Sequence, residues 1–94
     1  MQTEDSQKII KRFFEAVYHL KSLHIIRGKQ TFTNRFGINR WNFNSLERDM
    51  SRDIFQTAWL AYLVDEYDVS AEWLLTGRGE IMSRKRKTRA EAKK

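Results

Sequence analysis

KQTFTNRFGINRWNFNSLER, residues Lys29 to Arg48, reads as two short helices joined by a tight turn at Gly37-Ile38-Asn39. The first helix, Lys29 to Phe36, places Phe32 and Phe36 one turn apart toward a core. Gly37 follows, and a residue of positive φ is the usual way to leave a helix sharply. Ile38 is expected to anchor the turn in the core, and Asn39 to cap the next helix. That helix, about Arg40 to Asp49, buries Phe43 and Leu46, three apart. Its outer face is expected to carry Arg40, Trp41, Asn42, Asn44 and Ser45. Such side chains suit base edges and the phosphates around them, and a helix-turn-helix presents such a set to the major groove of DNA.

Working outward, 94 residues make one domain with one small core. The absence of cysteine excludes disulfides and thiolate chemistry. His19 and His24 are five apart on an expected helix, whereas helical metal ligands want three or four, so both read as ordinary histidines and no metal or other cofactor is expected. No apolar run approaches the ~18 residues of a membrane span. The segment MQTEDSQK is acidic and polar, unlike a secretory signal, and a cytoplasmic protein is expected. No proline, only four glycines and helix-compatible periodicity throughout predict an all-α domain.

The net charge of +6 is unevenly placed. Residues 1–82 hold eleven basic and eleven acidic side chains, so the whole excess lies in SRKRKTRAEAKK, residues 83–94. Within the body, residues 21–48 sum to +5 and residues 49–82 to −5. The basic segment contains the two short helices, which fits a polyanion partner on that face. Residues 1–82 are therefore expected to form the domain. Residues 83–94 are expected to be a flexible basic tail, partly helical around Thr88–Lys94, that lies along phosphates. The alternative is a solvated tail that only aids solubility.

The remaining helices follow from apolar spacing. The first is expected from about Gln7 to Leu23, with Thr3, Asp5 and Ser6 as candidate caps and Ile9, Ile10, Phe13, Phe14, Val17, Leu20 and Leu23 on one face. His24 to Gly28 connects it to the second, with Gly28 as a turn residue. The fourth is expected near Asp53, where Asp53-x-x-Gln56 resembles a capping box, with a stripe of Ile54, Trp59, Leu60, Leu63, Val64 and Tyr67. Ser70 caps a short fifth helix, Ala71 to about Thr76, giving Trp73, Leu74 and Leu75 to the core. Gly77 ends it, and Ile81 and Met82 tuck back against the body.

Three segments resemble the lambda-repressor-like (Xre/Cro) helix-turn-helix family of phage and bacterial regulators. FTNRFGI (Phe32–Ile38) is similar to the family's second helix and Gly-hydrophobic turn. NRWNFNSLER (Asn39–Arg48) is similar to its recognition helix, and VSAEWLLTGRGEIM (Val69–Met82) to its final helix and cap. The resemblance spans most of residues 9–82 and implies a compact five-helix DNA-binding domain with the helix-turn-helix at helices 2 and 3. Departures are Thr33 where an alanine is usual, longer segments after helix 1 and at Asp49–Ile54, and a tryptophan at the second recognition position.

The resemblance implies that Arg40, Trp41, Asn44 and Ser45 read bases. Arg40's fork matches guanine O6 and N7, and Trp41 packs on thymine methyls or sugars. Solvation or a phosphate contact for Arg40, and partial burial against helix 2 or the loop for Trp41, are the alternatives. Lys29, Gln30, Asn39, Asn42 and Arg48 are the expected phosphate contacts. Glu47 reads as structural, paired with Arg12 or Lys21 on helix 1. No nucleophile, base and orienting group come together in the sequence, and no carboxylate pair suggests a cleft, so no enzyme and no small-molecule substrate is expected. The expected partner is double-stranded DNA, bound by a homodimer that contacts itself through Trp73 and the end of helix 5. Two further readings are an interaction or antitoxin-like module without site-specific DNA binding, and an RNA-binding protein. The missing sheet of base-stacking aromatics counts against the latter.

Overall fold

Thr3 starts the first helix by a capping bond. In the computed structural model, which describes residues 2–83, its hydroxyl accepts from the Ser6 amide at 3.1 Å. Helix α1 therefore runs Glu4–Ser22, three residues earlier than the apolar stripe alone suggests. It buries Ile10, Phe13, Phe14, Ala16, Val17 and Leu20. Leu23, expected on that face, becomes the C-cap and stays exposed. The chain turns at His24, which adopts φ 63°, a conformation that histidine tolerates better than most residues. Gly28 is extended rather than turned, and precedes α2, Lys29–Phe36.

Gly37 makes the expected left-handed exit, with φ 64° and ψ 32°. The following amide, Ile38 N, donates to the Thr33 carbonyl at 2.9 Å. Asn39 then caps α3, Arg40–Arg48, its side-chain oxygen accepting from the Asn42 amide at 2.9 Å. One terminal carbonyl of α2 and one terminal amide of α3 are thus satisfied by the turn, which fixes the angle between the two helices. Thr33, the departure from the family's usual alanine, is buried. Its hydroxyl donates to the Gln30 carbonyl at 3.2 Å, so its polar atom is satisfied inside its own helix. Ile38 is only half-buried.

The expected fourth helix from Asp53 is corrected. Residues 49–57 form a loop, and α4 is Ala58–Tyr67 with Thr57 as its N-cap. The Asp53-x-x-Gln56 pattern and the stripe from Ile54 through Trp59, Leu63 and Tyr67 cross this boundary, which is why the sequence reads as one helix. Ile54, Phe55 and Thr57 are weak helix formers. Ile54 and Phe55 pack against the core from the loop instead. Asp68 ends α4 in a left-handed conformation, and Ser70 caps α5, Ala71–Thr76, by accepting from the Trp73 amide at 3.1 Å.

Helix α5 ends at Gly77, φ 78°. Arg12 of α1 donates to the carbonyls of Leu74 at 2.8 Å and Leu75 at 3.1 Å, closing the last helix onto the first. A Cβ at Gly77 would meet the Arg12 guanidinium at 3.3 Å, so the glycine serves both the turn and this contact. Leu74 is buried, but Leu75, expected in the core, is 52% exposed. Ile81 and Met82 do fold back. Val69 and Met82 form an isolated antiparallel bridge, and the Ser70 amide donates to the Ile81 carbonyl at 2.8 Å. Ser83 also bonds to the body through the Asp68 carbonyl at 2.7 Å. The rest of the expected basic tail lies outside the described residues.

The described residues form five helices and no strand, and no helix among them is long and apolar enough to cross a membrane. One core joins all five, with Phe13, Phe32, Phe43, Leu63 and Leu74 fully buried. Helix α2 is pinned to α4 by Phe36 stacked on Tyr62, centroids 4.2 Å apart and planes within 4°. Arg35 adds a 2.6 Å bond to Glu66.

Nothing lies within 4 Å of a Cβ built on Gly37, so the cost of replacing it is conformational rather than steric crowding from neighbours. Gly37→Val is expected to lower stability by roughly 1–2 kcal/mol, and Gly37→Asn by less, because asparagine tolerates the left-handed region. Urea unfolding of the three proteins checks this, and equal midpoints would refute the assigned role.

Candidate nucleic-acid interface

Successive residues of a helix are turned by about 100° from one another, which divides α3 into two arcs. Phe43, Leu46, Ser45 and Asn42 fall on one arc. Arg40, Glu47, Asn44, Arg48 and Trp41 fall on the other. Burial follows this division at its extremes: Phe43 and Leu46 are sealed, while Arg40, Trp41 and Arg48 are exposed, Trp41 at 62%.

Ser45 is the clearest correction to the expected reading set. It is 1% exposed, on the core side of α3, where its small side chain lets the helix approach the body. Its hydroxyl accepts a long bond from Arg48 Nη2 at 3.4 Å. It cannot reach a base without α3 moving. Asn44 is half-buried, and its side-chain oxygen is sealed from solvent without a partner among the described residues. Asn42 is half-buried beside the turn, and its backbone amide is spent on the Asn39 cap. Asn39 and Gln30 are exposed.

Lys29, expected at a phosphate, is instead held by Glu47. Its ammonium donates to Glu47 Oε1 at 2.9 Å, and the Tyr18 hydroxyl donates to the other carboxylate oxygen. Glu47 is therefore structural, as expected, but its partners are Lys29 and Tyr18. Arg12 is committed to the α5 carbonyls. The Glu47 bond raises the Lys29 ammonium above its ordinary range, and together with burial it raises the Tyr18 hydroxyl. Burial acts to raise Glu47, but the bonds from Lys29 and Tyr18 outweigh it and leave the carboxyl below its ordinary range. This triad ties α1, α2 and α3 together at the edge of the exposed arc.

Sequence reasoning missed Arg52. It comes from the loop after α3, and its guanidinium carbon lies 5.5 Å from the centroid of the Trp41 ring. The only local signal was Asp49-Met50-Ser51, an Asx-turn pattern that orders the loop. Asp49 accepts from the Ser51 amide at 3.1 Å and its hydroxyl at 2.6 Å, and these bonds hold the Asp49 carboxyl below its ordinary range. The loop thus sets a further arginine against Trp41 of the exposed arc. Next to the turn, Asn39, Asn42 and Gln56 rim a hollow of about 260 Å³ floored by Phe36, Trp59 and Tyr62.

No family model, no curated protein and no solved structure matches the chain.

The depressed Glu47 carboxyl sets a pH signature. Its contribution to stability is fully present above the ordinary glutamate value, about 4.3, and is lost as pH falls through the lower folded value. Glu47→Gln is expected to be less stable than the parent at pH 7, by no more than about 1 kcal/mol because the pair is partly exposed. That gap should close on acidification toward pH 3. Urea unfolding of both proteins across this range checks it, and a gap independent of pH would show that the carboxylate's charge is not what matters.

Proposed function

We propose that this chain is a lambda-repressor-like domain that binds double-stranded DNA sequence-specifically and acts as a small transcriptional regulator of phage or mobile-element type. Helix α3 enters the major groove, with Arg40 and Trp41 toward base edges and Arg48, Asn39 and Gln30 toward phosphates. The observation that carries this reading is the pairing of two features. Helix α3 leaves α2 through a left-handed glycine turn and an asparagine cap. Its exposed arc then presents Arg40, Trp41 and Arg48 to solvent rather than to the core. An exposed tryptophan between arginines is poorly suited to water and well suited to a stacked, anionic partner. The +5 balance of residues 21–48 supports the same face.

A second reading, an interaction or antitoxin-like module on the same fold, is favoured by a different feature. Leu75 is 52% exposed beside an apolar hollow between α4 and α5. The same surface would serve a homodimer reading two half-sites about one helical turn apart. Trp73, the expected dimer contact, is half-buried and does not line that hollow.

Selection of bound duplexes from a random DNA pool by the full chain tests the proposal. A recovered motif with a steep salt dependence supports it, because phosphate contacts release counterions. Failure to enrich any sequence, with affinity indifferent to salt, leaves the interaction module. On the selected duplex, Arg40→Ala is expected to cost about 1–3 kcal/mol and to relax preference at one base pair. Uniform weakening with an unchanged ranking of sites would make Arg40 a phosphate contact.

A further inference from the structure

Trp41 and Arg52 are eleven positions apart and belong to different elements, yet the fold sets the guanidinium over the indole at 5.5 Å. The contact does not depend on a wandering side chain alone. Arg52 sits on a stretch of backbone fastened at several points. Asp49 N donates to the Ser45 carbonyl at 3.0 Å, continuing α3 into the loop. The Asp49 carboxylate then holds Ser51, and the Arg52 amide donates to the Asp49 carbonyl at 3.3 Å. From the other side, the Gln2 amide donates to the Ser51 carbonyl at 2.9 Å, and the Gln2 side chain to the Arg52 carbonyl at 3.3 Å. Both Trp41 and Arg52 remain exposed.

A cation–π contact with an indole lowers the freedom of an arginine without consuming its N–H donors, which lie in the guanidinium plane. A guanidinium restrained in this way is prepared for the bidentate acceptor pair of guanine, O6 and N7. The uncovered part of the indole offers an apolar surface, and the matching feature in the major groove is the thymine methyl.

We propose that Trp41 and Arg52 form one base-reading unit, in which the indole positions the guanidinium on a guanine and itself covers the methyl of an adjacent thymine. The proposal rests on the DNA-binding reading above. It assigns to a loop residue a specificity role that α3 alone does not supply. The alternative is that Arg52 only shields the Trp41 ring from water or touches a phosphate.

The test uses the full chain and the duplex that it selects. Trp41→Ala, Arg52→Ala and the double variant are compared with the parent by fluorescence anisotropy, after melting curves confirm that all four are folded. A coupled unit predicts that each single change weakens binding roughly tenfold or more and that the double change weakens it little beyond Trp41→Ala, by much less than the product of the two single losses. Arg52→Lys should fail to restore affinity, since lysine keeps the charge but lacks the planar fork. Replacing one guanine by 7-deazaguanine should weaken the parent and leave Arg52→Ala unaffected. Replacing the neighbouring thymine by uracil should do the same for the parent and Trp41→Ala. Losses that multiply, or an Arg52→Lys variant equal to the parent, would overturn the unit while leaving the DNA-binding reading intact. A parent that enriches no sequence, with Arg40→Ala indistinguishable from it, would remove both.

Discussion

The ring of Phe13 lies between 5.1 and 5.9 Å from five other aromatic rings: Phe14, Phe32, Phe43, Phe55 and Trp59. These come from α1 itself, α2, α3, the following loop and α4. Four of the contacts are edge-to-face, with planes at 66° to 79°, the arrangement that the ring quadrupole favours. A single side chain therefore registers four consecutive parts of the chain against one another. Each such pair contributes roughly 0.5–1.5 kcal/mol beyond burial. The remaining helix, α5, is attached one residue away, through Arg12.

This hub is also what gives α3 its direction. Phe43 meets Phe13, Phe14, Phe32 and Trp59, so α3 can roll very little about its axis. The exposed arc with Arg40, Trp41 and Arg48 is the geometrical complement of that packing. The Lys29–Glu47–Tyr18 triad and the Asn39 cap fix the two ends of the helix. Holding the exposed arc of α3 in one orientation requires supports of this kind behind it, and here they are aromatic at the centre and ionic at the far end.

What was legible in the sequence was what local chemistry decides. Gly37 and Gly77 take left-handed turns because the chain must reverse there and a side chain would object. Asn39 and Ser70 cap helices because their short polar groups reach a free amide two or three residues on. Apolar spacing placed Phe13, Phe32, Phe43 and Leu74 inside. What was not legible depends on distant placement. The spacing of Phe55 and Trp59 fits a helix as well as a loop, and only packing decides. Ser45 is polar and was assigned outward, but its angular position faces the core. Glu47 required a basic partner, and the sequence offered several before geometry selected Lys29. Arg52 met Trp41 only once the loop had closed.

The bond from Arg12 to Leu74 joins positions 62 apart in the chain. The first of the described helices is thus completed by the last of them. On a ribosome, α1 leaves the exit tunnel with its guanidinium and much of its apolar face still waiting for partners. The aromatic hub can assemble once Trp59 has emerged, but the carbonyls that receive Arg12, and the Val69–Met82 bridge beyond them, arrive only with the final fifth of the body. A chain halted before Leu74 keeps an open seam along α1, the kind of exposed apolar surface on which chaperones and proteases act.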